Sequence, residues 1–361
     1  MSEKKNLPAT TNKLTLDEYK AKYSKPQNVK AARFFLVLFA AGIGVVIFTC
    51  LLLIVLKIYD INNIAGYISI APALAVFIIF YVVPLVKINS LPTFQTVVDE
   101  RNAKAAQVQN RKIREQLADG MIHFASNTDN IGWYDETRIG RLAVARQTNN
   151  NEDLKKTLSE IFDTDVRKQA RGTITKAAVN VGLLTAISQD DKLDSAIIAM
   201  FELNLVKDLL FLYGFRPSDA RLAKIFGTVV SNALVAYGFS QISVKATSGL
   251  LDMGLKLATA AGKNVAAIGA LAGVISTVVG SASQGIVNGI LTTVIGKQTQ
   301  KYLMLEYHLQ DVLDGIVLDD EDEAEIVSDV KKGITQALKD VRKKDKDKDG
   351  KEKGEENKDK E

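Results

Sequence analysis

Residues 34–56 have the sequence FFLVLFAAGIGVVIFTCLLLIVL, an uncharged run that decides how this chain must fold. A helix over these residues is about 34 Å long, which is enough to cross a hydrocarbon core of about 30 Å. A second uncharged run, Ile61 to Val86, follows almost at once. It contains Pro72 and Pro84, and lipid-embedded helices tolerate proline when neighbouring groups satisfy the freed carbonyls. The two runs together predict a transmembrane helical hairpin over 34–86.

A secretory signal peptide and a buried hairpin of a soluble protein are the alternatives. A signal peptide has a shorter apolar region that ends in a small-residue cleavage site, and about 30 polar residues do not precede it. Soluble proteins rarely contain two adjacent uncharged runs of this length. Tyr59, Tyr67 and Tyr81 also lie near the expected interfaces, where amphipathic rings are favoured. Both runs are therefore expected to be surrounded by lipid.

Basic residues flank the hairpin on both sides and predict its orientation. The residues before it are Lys4, Lys5, Lys13, Lys20, Lys22, Lys25, Lys30 and Arg33, and those after it are Lys87, Arg101, Lys104, Arg111, Lys112 and Arg114. The connection between the runs offers Lys57 alone. Because positive charge stays on the cytoplasmic side, both flanks are expected to be cytoplasmic. Function should then lie in the cytosolic part.

Composition narrows the class of protein further. The chain has 361 residues, of which 24% are charged and 47% hydrophobic, enough for one sizeable core with appendages or for two small domains. Its net charge of +4 is too small for the dense basic face of a nucleic-acid-binding protein. Cys50 is the only cysteine, so the chain can form neither an internal disulfide nor a cysteine-based zinc site.

Residues 87–126 carry an amphipathic pattern that predicts a stalk helix beginning at Pro92. The apolar positions, which recur at spacings of three and four, are Phe94, Val97, Val98, Ala105, Val108, Ile113, Leu117, Met121 and Phe124. Packing of this helix on the following domain is the favoured interpretation. Its many basic residues leave open a second one, a helix lying on an anionic leaflet.

Residues 127–318 are expected to form a helical cytosolic domain without a substantial sheet, which makes the fold all-α. Residues 127–151 are rich in Asn, Asp, Thr and Gly and predict a loop with one short helical piece. From there onward apolar residues recur at helical spacing, as in Leu154, Leu158, Ile161, Phe162, Ile198, Phe201, Leu205 and Leu209. Asp194 and Ser218 are predicted N-caps, and Gly214 is predicted to end a helix in a left-handed turn.

The uncharged stretch Asn264 to Gly296 allows two structures. Its 33 residues are too few for a second complete hairpin, which needs about 40. The stretch contains Gly269-xxx-Gly273 and Gly285-xxx-Gly289, small-residue spacings that let helices approach closely in membranes and in soluble cores alike. Two core helices of the cytosolic domain are favoured, and an element that dips into the bilayer is the alternative.

The C-terminal residues 319–361 divide into two parts. The acidic run Asp319 to Glu325 precedes apolar residues at helical spacing and predicts a helix whose first turn complements the helix dipole. Beyond Arg342 the chain contains only Lys, Asp, Glu, Gly and Asn, which cannot bury enough apolar surface to fold. A disordered tail is expected there, and residues 1–33 are expected to form a basic cytosolic tail.

No catalytic or ligand-binding motif stands out. Residues 345–356 match the spacing of a calcium-binding loop, but a tract of Lys, Asp, Glu and Gly meets that pattern easily by chance. The Gly-Lys pairs at 262–263 and 296–297 do not have the spacing of a P-loop. His123 and His308 lie far apart in the sequence, and no Gly-x-Ser-x-Gly elbow is present. We expect no catalytic residue, no metal and no cofactor.

The stretch from Val166 to Leu303 resembles the YcjF-like family of uncharacterised bacterial inner-membrane proteins. The motifs that carry the resemblance are Asp165-Val166-Arg167, Thr185-Ala186-Ile187-Ser188, Leu193-Asp194, Asn204-Leu205, Leu212-Tyr213-Gly214, Arg216-Pro217, Gly285-Ile286-Val287-Asn288-Gly289 and Leu291-Thr292-Thr293-Val294-Ile295-Gly296. The paired N-terminal runs lie in the same relative place as in that family. The charged C-terminal tail departs from it.

This resemblance implies an inner-membrane protein whose family has no agreed activity. Similar helical domains occur behind small GTPase domains, and YcjF-like proteins are often encoded beside a predicted GTPase. A membrane-anchored scaffold or effector of a P-loop GTPase is therefore the leading hypothesis, with the bilayer and a second copy of the chain as the other expected partners. The rival hypothesis is a pore or transport element that uses residues 264–296. An enzyme acting on lipid or cell-envelope material has no sequence feature in its favour.

Several polar or motif residues of the helical domain are candidates for partner binding. They are Glu202, Asn204, Lys207, Tyr213, Gly214, Arg216 and Asn288. Glu202, Lys207 and Asp208 lie inside an otherwise apolar helix. The alternative to a binding role is that they form ion pairs on the helix face. That alternative is favoured.

Overall fold

The computed structural model describes residues 14–23, 29–99, 101–130, 132–188, 191–236 and 281–317. The expected acidic helix, the charged tail and the calcium-loop pattern all lie outside these residues, as do residues 264–280 of the uncharged stretch. Within the described ranges the fold is helical, and the predicted all-α class is confirmed.

The N-terminal hairpin, residues 29–90, follows a short strand β1 (Leu14–Thr15) and helix α1 (Leu16–Lys22). Helix α2 spans Val29–Ile61, α3 spans Asn63–Phe77, and a π-helical turn at Ile78–Val82 leads into α4 (Val83–Ser90). The Asn62 side chain caps α3 by accepting from the Ile64 and Ala65 amides. Both arms are long and apolar enough to cross a membrane, as the sequence predicts.

Residues 91–99 are extended, so the predicted helix start at Pro92 is wrong. The Arg216 amide donates to the Pro92 carbonyl at 2.9 Å, and the Asn110 side chain both donates to and accepts from the Gln95 backbone at 2.8 Å. Phe94, Thr96 and Val98 alternate into the core, which is the strand period. The stalk helix α5 begins only at Ala103 and ends at Ser126.

The remaining helices are α6 (Glu136–Gln147), α7 (Asn151–Ile161), α8 (Arg167–Ile187), α9 (Asp191–Tyr213), α10 (Asp219–Leu234) and α11 (Ser281–Asp314). A π-helical turn at Phe162–Val166 joins α7 to α8. Strand β2 (Ile316–Val317) pairs in parallel with β1 over two residues each, so no substantial sheet forms in the described residues.

Helix α5 packs on α6, α7 and α11. This agrees with the interpretation favoured from the sequence, that the stalk packs on the domain that follows it. Ile113, Leu117 and Met121 of its predicted stripe are buried, whereas Val108 is exposed. Asn110 is buried instead, because it serves as the side-chain partner of the extended segment. The amphipathic pattern thus identified the helix but only part of its buried face.

Two predictions about helix ends need correction and one is confirmed. Gly214 has φ +78°, the left-handed conformation expected after α9. Ser218 stands at the N-cap of α10, but its side chain makes no capping hydrogen bond. Asp194 lies inside α9, which begins at Asp191, and it is buried. The expectation that Asp194 caps this helix is therefore wrong.

Helices α8 and α11 meet at their backbones. A methyl group added at Gly182 would lie 3.0 Å from the Gly285 carbonyl oxygen, and one added at Gly289 would lie 3.0 Å from the Ala178 carbonyl oxygen. The predicted Gly285-xxx-Gly289 spacing therefore serves close helix packing. The described part of the uncharged stretch, 281–296, belongs to a single helix that continues to Asp314.

Candidate functional site

The hairpin is packed along the helical domain rather than connected to it by a tether alone. Gly227 of α10 faces the Phe39 ring of α2, and Gly42 of α2 faces Val230 of α10. Buried residues of α2, among them Ile47, share one core with those of α9 and α10. The junction between hairpin and domain is the first part of the candidate site.

Asn204 satisfies a carbonyl group that a proline leaves free. Pro84 has no amide hydrogen for the Phe80 carbonyl four residues earlier. The Asn204 side chain donates to that oxygen at 3.3 Å, and the Phe80 and Phe201 rings lie 6.4 Å apart beside it. A proline in a membrane-spanning helix needs a neighbouring group to satisfy the freed carbonyl, and Asn204 is that group here. Asn204 therefore joins α9 to the second arm of the hairpin.

We predict that Asn204→Ala lowers the stability of the full-length protein by about 1–3 kcal/mol, because it leaves a partly buried carbonyl unpaired. In a Pro84→Ala background the same substitution should cost much less, since residue 84 then supplies its own amide donor. Thermal unfolding of the four proteins in one mild detergent measures this double-mutant cycle. Equal costs in both backgrounds would contradict the assigned role.

A buried polar cluster joins α9, α10 and α11 next to this junction. Glu202 is completely buried, and its carboxylate accepts from the Asn232 amide at 2.9 and 3.1 Å. The Thr292 hydroxyl lies 3.4 Å from the same carboxylate and 3.0 Å from the Asn288 carbonyl. Within the described ranges Glu202 has no ion-pair partner, so it is not part of a helix-face ion pair and that expectation is wrong for it. A carboxyl group buried in this way is held by neutral hydrogen-bond donors.

We predict that Glu202→Ala destabilises the protein by about 1–3 kcal/mol, because Asn232 and Thr292 then lose a buried partner. Glu202→Gln retains an acceptor for the Asn232 amide and should restore most of the loss. Chemical unfolding of both variants in detergent gives the comparison. A glutamine variant as unstable as the alanine variant would show that the cluster needs the carboxyl group itself.

A second buried acid, Glu306 of α11, holds three elements together. Its carboxylate contacts the Arg221 guanidinium and accepts from the Ser218 amide at 3.2 Å and from the Thr96 hydroxyl at 2.8 Å. The Tyr19 hydroxyl donates to the Thr96 carbonyl at 2.7 Å, which adds α1 to the network. Sequence reasoning missed Glu306, since nothing near it in the chain indicates a buried partner.

Arg114 and Asp314 form a buried ion pair between α5 and α11. Their nitrogen and oxygen are 2.5 Å apart, and the guanidinium also contacts Gln310 and lies 3.1 Å from the Asn151 side chain. Burial raises the pKa of the Asp314 carboxyl, while the nearby Arg114 and Lys155 charges lower it. The basic residues of α5 thus include one that the fold buries.

The candidate partner-binding residues are mostly interior in this structure. Glu202, Tyr213 and Asn288 are buried, and the Tyr213 hydroxyl accepts from Gln300 at 3.0 Å. A direct contact of these three with a partner would require the helices to separate. Their role in partner binding stays a prediction.

The other candidates are used within the fold as well. Lys207 donates to Asn204 at 3.1 Å and pairs with Asp208 at 3.0 Å, as expected for a pair on the helix face. Gly214 forms the turn after α9, and Arg216 pairs with Asp219 at 2.7 Å. In the described part of the chain, no group of three or more His, Cys, Asp or Glu residues could hold a metal ion.

The fold and the junction together define a class of protein, a helical bundle packed on a hairpin of membrane-spanning length. Residues 149–315 match the family model of a domain of unknown function, DUF697. This match covers α7 to α11 and includes Glu202, Asn204 and Glu306. Neither a curated protein nor a solved structure matches the chain.

Proposed function

We propose that this protein is a membrane-anchored helical scaffold that presents a polar helical face at the cytoplasmic surface to a protein partner, without catalysis of its own. The proposal depends on one observation. The two helical arms of membrane-spanning length pack on the helical domain, and the same domain carries the charged helices α5 to α7. An anchor joined so closely to a domain fixes the orientation of that domain at the membrane.

The end of the bundle away from the hairpin is tied by ion pairs between helices. Arg146 of α6 pairs with Asp119 of α5 at 2.9 Å, and Arg138 of α6 pairs with Asp165 at 2.7 Å. The Arg146–Asp119 pair is exposed and the Arg138–Asp165 pair is partly buried. An exposed pair adds little stability, but it keeps the surface polar. This charged end, α5 to α7, is the part suited to a cytosolic partner.

A P-loop GTPase is the partner class we propose, and the YcjF-like resemblance is its support. In the proposed topology both termini are cytoplasmic and the membrane is the bacterial inner membrane, because lysine and arginine flank the hairpin on both sides.

Two measurements on the full-length chain test this proposal. Cell membranes should retain the protein after an alkaline carbonate wash and release it in detergent. The protein purified from that extract through an affinity tag should carry a second protein that a photoreactive GTP analogue labels, and an untagged chain should not. A carbonate-soluble product would overturn the anchor, and the absence of a labelled second protein would overturn the GTPase partner.

A further inference from the structure

One end of the helical domain runs beside the hairpin. Along α2 and α10 the contacts Phe39 with Gly227 and Gly42 with Val230 advance in the same direction. The uncharged run of α2 begins at Phe34, and at about 1.5 Å per residue Gly42 lies about 12 Å further in. If α2 spans a membrane, Val230 of α10 lies at that depth too.

The second arm gives the same result for α9. The Tyr81 hydroxyl donates to the Ala40 carbonyl at 3.0 Å, which aligns this part of the arm with a level about 9 Å inside the start of the run. Phe80 packs on Phe201 of α9. Because the tight turn at Gly214 makes α9 antiparallel to α10, the residues before Phe201 lie deeper. Leu193 is eight residues earlier, about 12 Å further into the bilayer.

The surface at this end has the composition that lipid requires. Helix α8 has no charged residue from 177 to its end at Ile187, and α11 has none from 281 to 296. The exposed side chains here include Val179, Leu183, Leu184, Ile187, Leu193 and Ile290. In contrast, the opposite half of α8 exposes Lys168 and Arg171. Among the polar residues of the apolar end, Asp194, Ser195, Glu202 and Asn288 are buried.

From the hairpin contacts and this composition we infer that the apolar end of the helical domain is embedded in the bilayer and faces acyl chains. It consists of the C-terminal halves of α8 and α10 and the N-terminal halves of α9 and α11. The inference rests on the proposed anchoring of the hairpin, and it extends the membrane part of the protein from two helices to six. It also accounts for the exposed apolar residues of α8, which no other described element covers.

A charged group at the deepest turn is compatible with this placement. Lys192, next to Leu193 and exposed, lies about 23 Å into a hydrocarbon core of about 30 Å. A lysine side chain at that depth extends to the far headgroups. Intramembrane carboxyl groups face the interior of a bundle and pair with polar neighbours there, as Glu202 does with Asn232.

Tryptophan fluorescence in brominated lipid tests the inference on the full-length chain. Trp133 is the only tryptophan, so Trp133→Phe gives a silent background. Leu183→Trp probes α8 at a site that is 58% exposed, Val45→Trp probes the hairpin at a site 64% exposed, and Val144→Trp probes α6 at a site 59% exposed. Each protein is reconstituted into phosphatidylcholine vesicles with and without brominated acyl chains.

We expect brominated chains to remove more than half of the emission of the Leu183→Trp and Val45→Trp variants and to leave the Val144→Trp variant unchanged. Quenching of Val45→Trp without Leu183→Trp would overturn the inference and leave the anchor intact. The absence of quenching in both Val45→Trp and Leu183→Trp would overturn the proposed membrane anchor as well. Quenching of all three would overturn the boundary drawn between the two ends. Ile187→Trp, at a site 77% exposed, repeats the test should Leu183→Trp not fold.

Discussion

Replacing Gly285 with alanine should force helices α8 and α11 apart and lower the stability of the protein by about 3 kcal/mol or more, the upper part of the range for overpacking. The added methyl group would meet the Gly182 carbonyl oxygen and would lie 2.7 Å from the Ala186 methyl group. Neither obstacle is the flexible end of a side chain, so only movement of a helix relieves the overlap. The midpoint of thermal unfolding in detergent, followed by circular dichroism, measures the loss.

Gly172→Ala is the matched control, because Gly172 lies on α8 and a methyl group there would touch nothing. Alanine in a helix interior is more favourable than glycine by about 0.5–1 kcal/mol, so this variant should be slightly more stable than the parent protein. The same chemical change is thus expected to act in opposite directions at the contact between α8 and α11 and on the exposed face of α8. Similar midpoints for both variants would show that α8 and α11 are not in backbone contact.

The close approach of α8 and α11 could be predicted from the sequence, and so could the two helices of the hairpin. Both depend on local patterns, namely uncharged length for the hairpin and small-residue spacing for Gly285 and Gly289. The left-handed turn at Gly214 is equally local, since glycine there needs no distant partner. These features could be predicted because the residues that cause them are neighbours in the chain.

The extended segment 91–99 shows where two local patterns compete. Phe94, Thr96 and Val98 have the strand period, but Phe94, Val97 and Val98 also fit a helical stripe. Tertiary contacts decide between them, because the Phe94 ring packs on Phe215 and Tyr307 with centroids 5.0 and 6.0 Å away. A pattern alone could not reveal those partners.

The buried charges were beyond prediction for a related reason. Glu306 and Arg114 occur among amphipathic helix residues, where a charge is normally solvated. Their partners, Arg221 and Asp314, lie far away in the sequence and become neighbours only when α11 crosses α10 and α5. For Asn204 the proline at position 84 indicated that a donor was needed, but not which side chain would supply it.

Loss of the hairpin should unfold the helical domain, although the sequence analysis places the two in different segments of the chain. In a chain that begins at Leu91, the faces of α9 and α10 that pack on α2 become exposed, and Asn204 loses its carbonyl partner. Burial of one large apolar side chain contributes about 1.5–3 kcal/mol, and a domain is stable by only about 5–15 kcal/mol. Several such side chains, Ile43 and Ile47 among them, would be lost together.

We therefore expect the truncated chain to aggregate or to melt without cooperativity, whereas the full-length protein in detergent unfolds in one transition. Ile47→Ala tests the same contact without truncation and should cost about 2–5 kcal/mol, because Ile47 is completely buried. Ile68→Ala removes the same atoms from a hairpin site that is 68% exposed, so its effect should be far smaller. A soluble, cooperatively folded fragment, or equal costs for the two isoleucines, would mean that the hairpin is only a tether. In that case the bilayer depth of the apolar end could no longer be derived from its contacts with the hairpin.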